Sequence, residues 1–449
     1  MQGVRVGDYE LFTAVTNRKA LAPTPPMGWN SFDCFGGQAR EEDIRANADY
    51  MVKHLRNYGW EYVVIDIAWY AEYSDPNKTY AIESLYMDQH GRLIPSPTLY
   101  PSSVDGVGLR SLADYLHSMD MKLGIHIMRG IPQDAVKRNL PILGSTALAG
   151  DIANAQDVCP WWNGHMYGID SSKDGAQQYY DSIVKLYSDW GVDFIKADDM
   201  SCPYHRAEIE MLRKSIDRCG REMLLSLSPG PSDIANAEHI KANSEMWRLS
   251  GDVWDLWKNV LAGFELAELW NSHRGPNNWP DLDMLPLGRL ELRPAEDGAE
   301  YGFERWSRLS RDEQLTTMTL WVIFRSPLMF GGHLPANDGW TESLLTNEEV
   351  LNITKDSRNN SQLYRTEDEA VWSAEGDDCR YLALFNLSDR TASVEAALKQ
   401  MQMEGRWQVR DLWCRTDLGA VSSAVTAEIA PHGSKLFRLS PIREGSEDV

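Results

Sequence analysis

Residues 192–199 read Val192-Asp193-Phe194-Ile195-Lys196-Ala197-Asp198-Asp199, a short apolar run that ends in a lysine and two carboxylates. Side chains alternate across a β-strand, so we expect Lys196 and Asp198 on one face and Asp199 on the other. In an α/β barrel, functional side chains cluster where the parallel strands end. A structural ion pair at a strand end has the same pattern. The stretch alone therefore leaves both interpretations open.

The surrounding chain repeats this unit of apolar strand and amphipathic helix as far as about residue 330. Predicted strands include 62–69, 122–128, 192–198 and 223–228, and predicted helices include 41–57, 174–190, 204–218, 254–269 and 311–324. Eight strand candidates alternating with helices predict a (β/α)8 TIM barrel. An open doubly wound sheet is the alternative, but no glycine-rich phosphate loop follows the first strand.

After about residue 352 the helical periodicity of the sequence fades, which indicates a second domain. Short alternating runs between turns, such as 380–386 and 434–439, predict an antiparallel β-sandwich. The predicted division is an N-terminal lead-in at 1–23 with an edge strand at 9–15, the barrel at 24–352, the C-terminal β-sandwich at 353–442 and a frayed tail at 443–449.

The amino-acid composition indicates which classes of binding partner are favoured. The formal net charge of −22 disfavours nucleic acid and anionic membrane surfaces, and 17 Trp with 18 Tyr indicate a carbohydrate ligand. The six cysteines lack disulfide or metal spacing and the N-terminus lacks an apolar signal core, which together predict reduced cysteines and a cytoplasmic location. We predict no metal site and no cofactor.

The ends of the predicted barrel strands supply a set of candidate site residues: Trp29, Phe32, Asp66, Trp69, His126, Lys196, Asp198, Ser228, Arg248, Asp252 and Asp281, with Asp283 as the alternative to Asp281. Two of these carboxylates, Asp198 and Asp252, come from different strands, and a carboxylate pair is what glycoside hydrolysis requires. Lys196 would keep Asp198 ionised. Partial burial of Asp252 among Trp247, Trp254 and Trp257 would favour its protonated form. The alternative for Asp252 is a helix N-cap.

Several motifs occur in an order that resembles glycoside hydrolase family 27, which holds α-galactosidases and α-N-acetylgalactosaminidases. They are Met27-Gly28-Trp29-Asn30-Ser31, Ile65-Asp66 with Trp69, Lys196-Ala197-Asp198, Arg248 with Asp252, and Trp279 with Asp281-Leu282-Asp283-Met284. The resemblance implies that Asp198 is the nucleophile and Asp252 the acid/base. It also implies a retaining mechanism, with the two carboxyl groups about 5–5.5 Å apart.

By the same resemblance, Lys196, Asp66, Arg248 and the ring of Trp29 or Phe32 would hold the sugar. The chain departs from the family pattern at four positions: Ile67 replaces an aspartate that grips the sugar at O4 and O6, Ala68 replaces a cysteine, His126 replaces a tyrosine, and Ser228 replaces a glutamate near the sugar's 2-position. Ser228 resembles the smaller residue of the N-acetylgalactosaminidases.

The leading prediction is a retaining exo-acting α-glycosidase for terminal galactose-type sugars. The same machinery on an α-N-acetylgalactosaminide, a β-L-arabinopyranoside or an isomaltose-type glucoside stays open, as does a sugar-binding protein without activity. We expect an oligosaccharide or glycoside as the partner, no nucleic acid and no membrane, while a homo-oligomer stays open. Trp161 and Trp162, in the long loop at 129–172, are expected either beside the leaving-group side of the pocket or packed within their own loop.

Overall fold

The computed structural model describes residues 21–75, 78, 81–160, 164–293 and 302–442. The predicted edge strand at 9–15, the frayed tail and the two tryptophans Trp161 and Trp162 lie outside these residues.

Parallel strands form the inner sheet, as the apolar runs predict. Within the described residues, eight of them follow in chain order: β1 (Met27–Asn30), β2 (Tyr62–Ile65), β3 (Lys122–Met128), β4 (Phe194–Asp198), β5 (Leu224–Leu227), β6 (Met246–Arg248), β7 (Trp279–Asp281) and β8 (Leu328–Phe330). The sheet closes just beyond β7, where Leu285 bridges Phe330 in parallel. The backbone N–H of Leu285 donates to the carbonyl of Met329 at 2.7 Å. The predicted (β/α)8 barrel is confirmed.

Each strand is followed by a helix on the outside of the sheet. These helices are α1 (Glu41–Tyr50), α2 (Arg110–His117), α3 (Ala176–Trp190), α4 (Arg206–Arg218), α5 (Ala237–Asn243), α6 (Trp257–Trp270), α7 (Arg311–Phe324) and α8 (Glu348–Asp356). Strand β3 and helix α7 have the predicted bounds, because their apolar patterns are long and regular. A helix beginning at residue 254 is wrong: α6 begins at Trp257, because tertiary hydrogen bonds to Val253 and Asp255 hold the preceding segment in a loop.

The C-terminal part is an antiparallel β-structure with its own apolar core, in agreement with the predicted sandwich. Its strands are β9 (Arg358–Arg365), β10 (Glu369–Glu375), β11 (Arg380–Asn386), β12 (Ala392–Ala397), β13 (Trp407–Asp411), β14 (Thr416–Val421), β15 (Ala424–Ile429) and β16 (Ser434–Pro441). The larger sheet runs in the order β9-β10-β11-β16-β13-β14, and β12 pairs with β15. Helix α8 runs through the predicted boundary at 352–353, so the exact domain division stays a prediction.

Two of these strands carry no clear pattern in the sequence. Strand β14 is exposed along most of its length, and β9 is interrupted by irregular pairing with β10, so neither shows the alternation of a half-buried strand. No helix among the described residues is both long enough and apolar enough to cross a membrane.

The close approach of β1 to β2 gives a test of the barrel. A Cβ added at Gly28 would lie 2.4 Å from the carbonyl oxygen of Tyr62, its partner in the pairing of β1 with β2. Since the strands would have to move apart, we expect Gly28→Ala to lower the free energy of unfolding by about 1–3 kcal/mol. Chemical denaturation measures this change.

The matched control is Gly339→Ala, at the first residue of the short helix Gly339–Leu345, where an added Cβ would meet no atom within 4 Å. Alanine favours a helix over glycine, so this variant should lose no stability. Equal unfolding free energies for Gly28→Ala and the wild type would contradict the close packing of β1 on β2.

Candidate active site

A buried ion pair lies at the carboxyl ends of β2 and β4. The ammonium of Lys196 donates to Oδ2 of Asp66 at 2.8 Å, and the side-chain amide of Asn30 donates to the same oxygen at 2.8 Å. The backbone N–H of Ile67 donates to Oδ1 at 2.8 Å. Burial alone would raise the pKa of Asp66, but the charges of Lys196 and His126 and these hydrogen bonds lower it below its ordinary value. Asp66 is therefore held ionised and pointed at Lys196.

The carboxylate of Asp198 is held at both oxygens. The hydroxyl of Ser228 donates to Oδ1 at 2.9 Å, and Nε2 of His126 lies 3.1 Å from Oδ2. Burial opposes the charge, yet the contact with His126, the charge of Lys196 and the hydroxyl of Ser228 keep the pKa of Asp198 well below its usual range. Lys196 acts here through its charge, because its hydrogen bond goes to Asp66. An ionised, oriented carboxylate of this kind can act as a nucleophile.

Asp252 lies in the loop between β6 and α6 and faces a second cation. The guanidinium of Arg248, whose side chain is 2% exposed, donates to Oδ1 of Asp252 at 3.1 Å and lies 2.7 Å from Oδ1 of Asp283. The other oxygen of Asp283 accepts the backbone N–H of Val253 at 2.7 Å. Asp283 therefore fixes both the cation beside Asp252 and the backbone that follows it.

Two predictions for the surroundings of Asp252 are wrong. Its side chain is 42% exposed, so partial burial among tryptophans does not occur. Trp247 packs against Trp270 and Trp257 stacks on His432, whereas Trp254, in the same loop as Asp252, is buried against Phe32. Asp252 is not a helix N-cap either, since Leu256 precedes the first residue of α6.

Further buried carboxyls surround Arg248. Burial raises the pKa of Asp281 to about 6, although the charge of Arg248 lowers it, and burial also raises the pKa of Asp283. Asp33 is fully buried nearby, and burial together with the charge of Asp283 raises its pKa well above its usual range. Burial therefore disfavours the charged form of each of these three carboxyls.

The remaining predicted residues divide into two groups. The ring centroid of Phe32 lies 5.8 Å from the ammonium of Lys196, so Phe32 borders the cluster. Trp29 is fully buried and its indole N–H donates to the carbonyl of Gly332, while Trp69 packs edge-on against Trp190 of α3. Both tryptophan rings therefore pack in the core, and of the two alternatives Trp29 and Phe32 it is Phe32 that borders Lys196; a contact of either tryptophan with the sugar stays a prediction.

Asn30 belongs to the cluster although no role was predicted for it, and Asp283 belongs to it together with Asp281. Asn30 alternates with the buried Trp29 along β1, so period-two alternation could have found it. Asp283 lies beyond the end of β7, where this alternation no longer applies. Asp283 also has a positive φ of 86°, an uncommon backbone conformation for a non-glycine residue.

Asp199 faces away from this cluster, towards a buried arginine. Nε of Arg129 donates to Asp199 at 2.9 Å, and the same guanidinium pairs with Glu208 at 2.6 Å and Asp157 at 2.8 Å. Potential ligand atoms of Asp157, His205 and Glu208 lie within 4.8 Å of one another, but the guanidinium already compensates these carboxylates. The absence of a metal site stays a prediction. All six cysteines lie in the described residues, and none of them forms a disulfide there.

The chain is similar in sequence to known α-galactosidases. The chain matches a family model described as alpha galactosidase A over residues 171–356 and one described as the alpha galactosidase C-terminal beta sandwich domain over residues 366–439. A curated α-galactosidase of Coffea arabica is 27% identical over 445 residues, which cover 97% of this chain and 98% of that protein.

Two solved structures are more similar. One is a GH27 β-L-arabinopyranosidase from Geobacillus stearothermophilus, 45% identical, with a TM-score of 0.92 over 97% of this chain and 100% of that chain. A variant of that enzyme has been solved in complex with arabinose. The other is a candidate α-N-acetylgalactosaminidase from Bacillus halodurans, also 45% identical, with a TM-score of 0.85 over 96% of this chain and 100% of that chain.

The Lys196–Asp66 pair can be tested by removing the cation. We expect Lys196→Met to lower the free energy of unfolding by about 3–5 kcal/mol at neutral pH, because it leaves the carboxylate of Asp66 buried without its counter-charge. Adding Asp66→Asn to that variant should recover part of the loss. Denaturant unfolding measures both changes.

Lys185→Met is the matched control. Lys185 pairs with Asp189 across one helical turn at the surface, with side chains 27% and 48% exposed, so its removal should cost about 1 kcal/mol or less. Similar losses for the two lysine variants would show that the buried pair is not specially costly to break.

Proposed function

This chain belongs to glycoside hydrolase family 27, the α-galactosidase family, and on that premise we propose that it is a retaining exo-acting glycosidase for terminal glycones of galactose ring configuration. The observation that carries the proposal is that Asp198 ends β4 and Asp252 follows β6 at the same edge of the barrel, with Asp198 in the field of the buried Lys196 and Asp252 bound to the buried Arg248. A retaining glycosidase needs one carboxylate that is ionised and one carboxyl that donates and accepts a proton.

In the first step, the carboxylate of Asp198 attacks the anomeric carbon and the glycosidic bond breaks. Asp252 gives its proton to the departing oxygen, and a glycosyl ester forms on Asp198. In the second step, Asp252 takes a proton from water, the water oxygen attacks the anomeric carbon, and Asp198 leaves as a carboxylate. The contacts of Ser228 and His126 with Asp198 stabilise that carboxylate before attack and after departure.

The exposure of Asp252 suits this role. Its side chain is 42% exposed, whereas Asp66 is 3% exposed at the floor of the site. The leaving group departs and water arrives from the open side, so the proton donor and acceptor must be reachable from solvent in the free enzyme. Arg248 and Asp283 hold Asp252 in place without covering it.

We further propose that the preferred glycone is a β-L-arabinopyranoside. This sugar has the ring configuration of an α-D-galactopyranoside without the C6 hydroxymethyl group. Ile67 stands where the family resemblance implies an aspartate that grips O4 and O6. Its side chain is 2% exposed and lies beside Tyr70, Met128 and Met166. An apolar group there would leave a C6 hydroxyl without a partner, which costs about 1–3 kcal/mol.

A second candidate glycone, an α-N-acetylgalactosaminide, is favoured by Ser228. The serine is small and turns its hydroxyl to Asp198, which leaves the space that a glutamate would fill near the sugar's 2-position. The two candidates differ at opposite ends of the ring, so the same set of substrates separates them. The cytoplasmic location and the oligomeric state stay predictions.

The two proposed catalytic carboxyls are tested by Asp198→Asn and Asp252→Ala. Loss of the nucleophile removes the covalent step, and loss of the acid/base removes proton transfer, which typically contributes about 10²–10⁴-fold. We expect kcat to fall by at least about 10²-fold in each variant while thermal unfolding stays near that of the wild type. Azide should restore turnover of Asp252→Ala with an activated aryl glycoside, because an anionic nucleophile needs no general base. Near-normal kcat in either variant would refute its assignment.

Glycone preference is measured with 4-nitrophenyl glycosides of β-L-arabinopyranose, α-D-galactopyranose, N-acetyl-α-D-galactosamine and α-D-glucopyranose. We expect the highest kcat/KM on the arabinopyranoside. Ile67→Asp should shift the ratio of kcat/KM towards the galactoside by about 10-fold or more, because it supplies an acceptor for the C6 hydroxyl. Ile67→Val is the control that keeps the position apolar. A wild type that prefers the galactoside would overturn the arabinopyranoside assignment and leave the glycosidase chemistry standing.

A further inference from the structure

A line of aromatic rings and cations leads from the proposed sugar site to the surface. The ammonium of Lys196 lies 5.8 Å from the ring centroid of Phe32, and Phe32 lies 6.3 Å from Trp254. The guanidinium of Arg305 then lies 5.6 Å from Trp254 and 5.2 Å from Phe303. The inner members of this line are buried, with 7% of Phe32, 4% of Trp254 and 9% of Arg305 exposed, whereas Phe303 at its outer end is 43% exposed.

A buried carboxylate fixes the outer end of this line to the loop that carries Asp252. Asp255 is buried, and its Oδ1 accepts from Arg305 at 2.7 Å and from Arg308 at 2.8 Å. Its Oδ2 accepts the backbone N–H of Arg308 at 2.9 Å. These charge-assisted hydrogen bonds tie the segment 303–308, which pairs with Arg289–Leu290, to the loop 250–256. Phe303 is therefore held at a defined position relative to Asp252.

We propose that Phe303 is the stacking platform of the first leaving-group subsite, where it contacts the flat face of an aromatic or pyranose aglycone. This inference rests on the proposed glycosidase function. The glycosidic oxygen must meet Asp252, so the aglycone extends from Asp252 towards solvent. Phe303 is an exposed ring in the segment tied to the same loop, and it contacts Arg305 on the line that leads to the sugar site.

The chemistry of the surroundings favours an aglycone with an apolar face. Arg305 and Arg308 share the single carboxylate of Asp255, and the guanidinium of Arg305 lies over the rings of Trp254 and Phe303. The chain as a whole carries a net charge of −22, which disfavours an anionic substrate. Rings with an apolar face, such as a phenol or the C–H face of a sugar, stack on such a platform.

Trp306, in the same segment as Phe303, is a control for the loss of an exposed aromatic ring. Trp306 is 48% exposed, similar to Phe303. Side chains alternate along a strand, so Trp306 points to the face opposite Arg305 and cannot join the stack of Arg305, Trp254 and Phe303. An effect due only to removing an exposed aromatic ring from this segment should appear in both variants.

The experiment compares Phe303→Ala, Phe303→Tyr and Trp306→Ala with the wild type on two substrates with the same glycone. One is the 4-nitrophenyl β-L-arabinopyranoside and the other is β-L-arabinopyranosyl fluoride, whose leaving group has no ring; the galactosyl pair is used in parallel. The ratio of kcat/KM, nitrophenyl over fluoride, isolates contacts with the aglycone ring. We expect Phe303→Ala to lower this ratio by about 2- to 12-fold, the range of one aromatic stacking contact.

Phe303→Tyr should keep the ratio near the wild-type value because it keeps the ring, and Trp306→Ala should leave it unchanged. An unchanged ratio in Phe303→Ala, including an equal loss on both substrates through misfolding, would overturn the subsite. An equal fall of the ratio in Trp306→Ala would overturn it as well. If the wild type hydrolyses neither glycosyl fluoride, the proposed glycosidase function itself is wrong. That outcome is distinct from a failure of the Phe303 subsite, which only the ratio of kcat/KM tests.

Discussion

The site depends on the need to compensate every charge that is buried in the barrel. Lys196 and Asp66 come from different strands, and each would be expensive to bury alone. Their contact at 2.8 Å joins the ends of β2 and β4, and Asn30 of β1 donates to the same carboxylate. Parallel strands that end at one edge of a closed sheet bring these groups together, so the barrel and the charge pairing support each other.

The same principle gives the two proposed catalytic carboxyls different surroundings. Asp198 is surrounded by a hydroxyl, an imidazole and an ammonium, which favour its ionised form. Asp252 shares one guanidinium with Asp283 and is open to solvent. A nucleophile needs the first environment, and a group that exchanges protons with a leaving group and with water needs the second. The proposed roles of nucleophile and acid/base follow from the surroundings of the two carboxyls, because both side chains are aspartates.

Sequence patterns predicted the architecture well where they were long and regular. The strand Lys122–Met128 and the helix Arg311–Phe324 were placed at their observed bounds. Prediction failed where distant residues decide the local structure. Helix α6 begins later than predicted because Asp283 and Arg308 bind the preceding loop, and Asp252 in that loop is 42% exposed. The family resemblance leaves Trp29 or Phe32 as the ring that holds the sugar; Trp29 packs in the core, and Phe32 borders Lys196.

The sequence by itself determined which residues end the barrel strands, because apolar periodicity and period-two alternation are local properties of the chain. It also carried the family motifs around Lys196, Asp198, Arg248 and Asp252. Only the tertiary structure decided the partners of these groups: that Lys196 binds Asp66, that His126 reaches Asp198, and that Asp255 ties Phe303 to the loop of Asp252. These contacts join residues far apart in the chain, and their formation depends on how the strands close and the loops pack, which no local pattern encodes.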